Sequence, residues 1–140
     1  MKKKYTLELN KNQLSTIRKA CEFYSRFCAG QMELPLELSW KLLDKREGNN
    51  SYRENRKKIA TLFSTIKDLS LKLNSGETLG IGSEDLIEEA KVCYDIYRPI
   101  LELFEKEYKE ENNLTKPSYS VYSYEGLSYS KEGRIKIKVN

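Results

Sequence analysis

The sequence contains no histidine. That absence excludes Ser–His and Cys–His nucleophile pairs and every imidazole metal ligand. Cysteine is sparse and odd in number, at Cys21, Cys28 and Cys93. An odd set on apolar helix faces reads as buried thiols of a reducing cytoplasm, not as a disulfide framework. Cys21 and Cys28 share a helix face but lie about 10 Å apart, two turns along it, too far to ligate one metal ion. No hydrophobic run approaches the length of a membrane span. The start, MKKKYTLELN, is basic but lacks the apolar segment of a secretion signal. Charge of one sign is not in large excess: Lys and Arg total 25 against 21 Asp and Glu. A net charge of +4 permits an anionic partner without demanding one.

The glycines of one loop call for a phosphate-binding test. The loop Gly76–Ser83 precedes a helix, where glycines can cradle phosphates. It lacks the Lys–Ser/Thr pair of a Walker loop, and Glu84 and Asp85 follow it, so it reads as a connector. Paired carboxylates such as Glu88–Glu89 and Glu110–Glu111 sit on charged turns and read as solvated. No catalytic constellation is recognisable and no cofactor is implied, so the chain reads as a binding protein without catalysis.

What is present is helical periodicity. The longest such stretch runs from Ser83 to Asn113, with Ser83 expected as its N-cap. Leu86, Ala90, Cys93, Tyr97, Ile100 and Phe104 recur in steps of four and three. Ile87, Tyr94, Leu101 and Tyr108 form a second stripe, so this helix is expected to be covered from more than one side. Pro99 inside it predicts a kink near residues 95–98.

Elsewhere, Asn10 with Gln13 forms a capping-box pattern before a helix with core stripe Leu14, Ile17, Cys21, Tyr24 and Cys28. Gly30 is placed to end it in the left-handed conformation. A short helix is expected over Leu36–Lys45. A third opens at Ser51 with Glu54, with core stripe Ile59, Leu62, Phe63, Ile66, Leu69 and Leu73. Tyr5, Leu7 and Leu9 alternate with polar residues, as do Ile135, Ile137 and Val139, and Tyr119–Tyr124 is rich in aromatics. These predict strands. The expected fold is therefore α+β, mainly α: a single domain, residues 1–140, with a helical body around one long kinked helix and a small antiparallel sheet formed by N- and C-terminal strands. Open sheet edges of that kind favour a homo-oligomer.

Cationic groups near aromatic residues supply the candidate ligand site. Arg53 and Arg56 follow Asn49–Ser51 at a helix start, where free amides and guanidinium groups suit an anion; their solvation beside Asp44, Glu47 and Glu54 is the alternative. Arg26 and Gln31 flank the end of the first helix, as ligand groups or as ordinary caps. Arg98 adjoins Pro99, either to bind an anion or to pair with Asp95 or Glu102. Tyr119, Tyr122, Tyr124 and Tyr129 lie near Arg134, Lys136 and Lys138, a set suited to stacking on bases and holding phosphates or to packing a sheet on helices. The ligand-binding candidates are thus Arg26, Gln31, Arg53, Arg56, Arg98, Tyr122 and Arg134, with no metal site.

The segment Leu9–Leu14, followed by Tyr24-Ser25-Arg26 and Gly30-Gln31 and later by Val121-Tyr122, resembles small uncharacterised proteins carried by tailed bacteriophages. The resemblance implies an accessory, anti-defence type of protein acting in a bacterial cytoplasm. It makes sequestration of an anionic nucleotide immune signal in an Arg- and aromatic-lined pocket of a homo-oligomer the first expectation. Inhibition of a host defence protein is the second and nucleic-acid binding the third, with no role for a membrane.

Overall fold

A computed structural model describes residues 3–47, 52–114 and 127–139. Its elements are α1 (Lys11–Cys28), α2 (Glu33–Glu47), α3 (Tyr52–Ile66), which runs on into one π-helical turn (Lys67–Leu71), and α4 (Glu88–Glu111). Among the described residues there is no strand, so the expected terminal sheet is not formed. Residues 3–10 and 133–139 form no regular secondary structure, and Tyr119–Tyr124 lies outside the described residues. The reason is visible in the hydrogen bonds. The Ile135 N–H, which a ladder would need, donates to the Asp95 carbonyl on α4 at 3.3 Å. The alternation of Ile135, Ile137 and Val139 dictates an extended chain, but an extended chain becomes a strand only where a partner backbone lies beside it.

Local chemistry explains the helix ends. The Asn10 side chain accepts from Gln13 N and the Gln13 side chain accepts from Asn10 N, both at 2.9 Å, closing the expected capping box. At the other end of α1, Gly30 has φ +78. Gly30 N donates to the Phe27 carbonyl and Gln31 N to the Arg26 carbonyl, the paired bonds of a Schellman motif. A Cβ on Gly30 would stand 2.9 Å from Leu73 Cδ1, so glycine is required both for the backbone and for the close approach of the segment after the π turn. The same motif closes α4, with Asn113 at φ 52 in the left-handed position. Ser83 does not cap α4. Its hydroxyl accepts from Asp85 N in a local turn, and α4 begins at Glu88 behind Ile87, whose backbone is extended.

α4 passes through Pro99 as one continuous helix. Pro99 has no N–H to offer the carbonyl of Asp95 four residues earlier, and Ile135 N–H takes its place. α1 packs most extensively on α4, antiparallel: Lys11 meets Glu107 at one end, while Ala29 packs with Leu86 and Ala90 at the other. The buried side chains Ala29, Leu86, Ala90, Tyr94, Tyr97 and Ile100 belong to this pairing, while Pro35 is fully buried in α2. The connector 74–82 closes its end, with Leu79 N donating to the Ala29 carbonyl at 2.8 Å.

α2 and α3 form a separate hairpin that touches α1 less and has no comparable contact with α4 among the described residues. Leu36, Trp40, Leu43, Ile59 and Phe63 are half-buried in the hairpin. Leu62, Ile66 and Leu69, expected as core, are instead exposed. Their spacing is correct for a helical stripe, but the stripe faces away from α2. A cavity of about 120 Å³ lies where the hairpin meets the end of α1, lined in part by Met32, Leu36 and Phe63. The Lys67 side chain is buried there and donates to the Ser75 carbonyl at 2.9 Å, tying the π turn to the following loop. Among the described residues no helix is long and apolar enough to cross a membrane.

Candidate functional site

The side chains with the greatest chemical capacity gather on the α1–α4 pairing. On α1, Arg18, Glu22 and Arg26 follow one another at intervals of four and share a face. Arg18 Nη1 donates to Glu22 Oε2 at 2.6 Å, Arg26 Nε donates to Glu22 Oε1 at 3.0 Å, and Arg26 Nη1 donates to Gln31 Oε1 at 2.9 Å. Glu22 thus bridges two guanidinium groups, and Gln31 is held to Arg26 through both side chain and main chain.

Facing this row, α4 presents Tyr94, Tyr97 and Arg98, all buried. Burial pushes the Tyr97 phenol up to about 12, while Arg26 and Arg98 pull it down and Tyr94 and Glu22 raise it further. The Tyr97 hydroxyl is therefore the point at which Arg26, from the end of α1, and Arg98, from mid-α4, are felt together. Tyr94 stands edge-on to Tyr97 at 5.2 Å and to Tyr129 at 5.4 Å, and the Arg98 guanidinium lies 5.8 Å from the Tyr94 ring centroid.

On the next face of α4, Asp95 is 0% exposed. Its carboxylate accepts from the Ser128 hydroxyl at 2.8 Å, the Tyr129 N–H at 3.1 Å, the Ser130 N–H at 2.8 Å and the Ser130 hydroxyl at 2.6 Å. A buried carboxylate is tolerated only when donors surround it in this way. Glu88 accepts from Lys131 N at 2.6 Å in an exposed hydrogen bond, and Arg134 is paired with Glu102. The C-terminal segment 127–135 is therefore strapped along α4 by Glu88, Asp95 and Glu102, three acids of one helix.

The sequence-predicted residues divide accordingly. Arg26 and Arg98 both bear electrostatically on Tyr97, and Gln31 is bound to Arg26. Arg134 lies on the strap and is occupied by Glu102. Arg56 belongs to the hairpin, its guanidinium 4.5 Å from the Trp40 ring centroid and 3.9 Å from Asp44. Tyr122 and the Arg53 side chain lie outside the described residues, as do Asn49–Ser51. Asp95, Ser128, Ser130, Tyr94 and Tyr97 were not singled out. One signal for Asp95 was legible: a single carboxylate in an apolar run, four residues before a proline, has both a charge and an orphaned carbonyl to satisfy.

The three cysteines are free and half-buried, and α1–α4 packing brings Cys21 within reach of Cys93. Burial, with Cys21 second, pushes the Cys93 thiol up to about 11. Protonated thiols of that kind are poor nucleophiles. Among the described residues no cluster of three or more Cys, Asp or Glu is arranged to hold a metal ion. No protein-family model, no curated protein and no solved structure matches this chain.

Proposed function

We propose that this chain is a non-catalytic accessory protein of the phage anti-defence type, acting in a bacterial cytoplasm. In this reading it works as a homo-oligomer and sequesters an anionic nucleotide at the cluster of Arg26, Gln31, Tyr94, Tyr97 and Arg98. One observation supports the reading: Arg26 of α1 and Arg98 of α4, some 70 residues apart in sequence, both pull down the phenol of the buried Tyr97, and Arg98 also lies 5.8 Å from the Tyr94 ring centroid. Arg26 is the group that meets the ligand, because its side chain is 41% exposed whereas Arg98 is buried. A phosphate oxygen is an acceptor of the same kind as Glu22 Oε1, so it can exchange with that carboxylate oxygen at Arg26 Nε. Isothermal titration against cyclic dinucleotides and ADP-ribose-derived nucleotides tests it. Binding that weakens roughly tenfold or more in Arg26→Ala supports the site, on the scale of a lost charge-assisted hydrogen bond. Titrations without heat across the panel overturn it.

A second reading, inhibition of a host defence protein through surface contact, rests on the exposed stripe Leu62, Ile66 and Leu69 of α3 and its π turn. Exposed aliphatic rows of this kind commonly mark protein interaction sites. Recovery of a stoichiometric host protein with the wild-type chain, lost on Leu62→Lys with Leu69→Lys, distinguishes this reading from the first.

A further inference from the structure

Lysine stands where the helical pattern of α3 calls for an apolar residue. Ala60, Phe63 and Lys67 follow one another in steps of three and four, as α3 runs on into its π turn. All three line the cavity at the end of α1. The register turns Lys67 inward and leaves its apolar neighbour Ile66 outside: Lys67 is 4% exposed and Ile66 39% exposed. Gly30 leaves room for the lysine stem, since a Cβ there would stand 3.3 Å from Lys67 Cε. Lysine is seldom buried so far without a charged partner.

Among the described residues no carboxylate comes within ion-pair reach of Lys67. Its ammonium carries three N–H donors. One goes to the neutral Ser75 carbonyl at 2.9 Å, and the described residues take no other. Both residues of that bond line the cavity, which places the ammonium at its wall. The neighbouring acids do not serve it. Glu33 lines the cavity but is exposed to solvent. Glu77, which feels the Lys67 charge, is exposed and accepts from the Asn74 N–H at 2.9 Å.

Met32, Leu36, Ala60 and Phe63 give the cavity its apolar walls, and its volume is about 120 Å³. An apolar protein cavity of about 150 Å³ takes a benzene molecule, so this one takes roughly six heavy atoms. A buried ammonium beside apolar walls is complementary to a carboxylate with a short hydrocarbon tail. We infer that this cavity is a binding site for a small aliphatic monocarboxylate, with the Lys67 ammonium on the carboxylate and Met32, Leu36 and Phe63 around the tail. A second negative charge on the ligand would meet apolar walls or Glu33, which disfavours dianions. A nucleotide exceeds the cavity. The site is therefore separate from the α1–α4 cluster, and neither reading depends on the other.

The test is NMR of the full chain, following amide chemical shifts as sodium butyrate is added against matched sodium chloride. The Gly30, Ser64, Lys67 and Ser75 amides should move together and saturate with a Kd on the order of 1 mM, within the range open to so small a ligand. Acetate, two methylenes shorter, should bind roughly tenfold more weakly. Butylamine, similar in shape and opposite in charge, should give no saturable shift. Lys67→Met keeps most of the stem and removes the charge, and should weaken butyrate by about tenfold or more. Ala60→Leu fills the cavity while leaving Lys67 and Ser75 in place, and should abolish binding. The same spectra report whether each variant folds, and where one does not, the ligand series decides alone. Any of four results overturns the inference: no saturable shift up to about 100 mM butyrate, acetate binding as well as butyrate, butylamine binding as well as butyrate, or undiminished binding in a folded Lys67→Met or Ala60→Leu chain. Butyrate binding together with nucleotide titrations without heat would uphold this site and remove the proposed function. Nucleotide binding without butyrate binding would do the reverse.

Discussion

The α1–α4 pairing and the α2–α3 hairpin put their helices to opposite ends. In the first, α4 is sheathed on one side by α1 and on another by the strap 127–135, and its polar groups are answered from within the chain: Asp95 by Ser128–Ser130, Glu102 by Arg134, Glu88 by Lys131 N. In the second, two helices cover one face of each other and leave leucine rows outward, with Leu62 61% exposed and Leu69 64% exposed. The difference teaches where stability and where interaction reside. Burial from two sides fixes the middle of α4 and the chemistry on it. The hairpin keeps apolar surface in reserve, which is the condition for docking.

The sharpest way to break that comparison is to delete the same kind of side chain in each region. Ile100→Ala, at a position with 0% exposure, should cost about 4 kcal/mol in denaturant unfolding, as large-to-small core changes do. Asp95→Ala should cost about 3 kcal/mol, because charged hydrogen bonds are lost and strap donors are left without an acceptor. Hydrogen exchange locates the effect: the Tyr129 and Ser130 amides should lose protection before those of α1. Gly30→Ala should cost about 2 kcal/mol, from a left-handed backbone at φ +78 and the clash with Leu73.

Alkali should loosen the first region selectively. The Cys93 thiol is raised from 9.0 to about 11 and the Tyr97 phenol from 10.0 to about 12, both chiefly by burial. Raised values mean that the fold favours the neutral forms. Their contribution is complete below the ordinary values and is lost as pH rises through about 11 and then about 12. Thermal unfolding followed from pH 8 upward should show a midpoint that falls beyond pH 9. Tyr97→Phe should blunt the upper part of that fall. The smallest expected effect is on the hairpin: Leu62→Ala should change stability of the isolated chain by less than about 0.5 kcal/mol. A cost comparable to that of Ile100→Ala would mean that this row is covered after all.

Much of the architecture was legible because it is local. The capping box of Asn10 and Gln13, the left-handed Gly30 and the steps of three and four along α4 follow from rules that act within one or two turns. The clustering of Arg26 with Gln31 was also legible, since five residues and one helix end separate them. The strap was not. Its alternating Ile135, Ile137 and Val139 carry the pattern of a strand, yet no strand forms there. Whether its N–H groups meet a neighbouring strand or a carbonyl freed by Pro99 depends on a residue 36 to 40 positions away.

The sequence by itself determined which segments are helical, where most of them stop, and that none of these 140 residues is a histidine. Only the tertiary structure decided which side of each helix is covered. Periodicity reports that a stripe exists, and burial depends on what else the chain can bring against it. That is why Leu62, Ile66 and Leu69 read as core and stand outside, while Asp95, a charged residue, sits at the centre of the fold. Its burial is possible only because Ser128, Tyr129 and Ser130 arrive from the far end of the chain with the donors it needs.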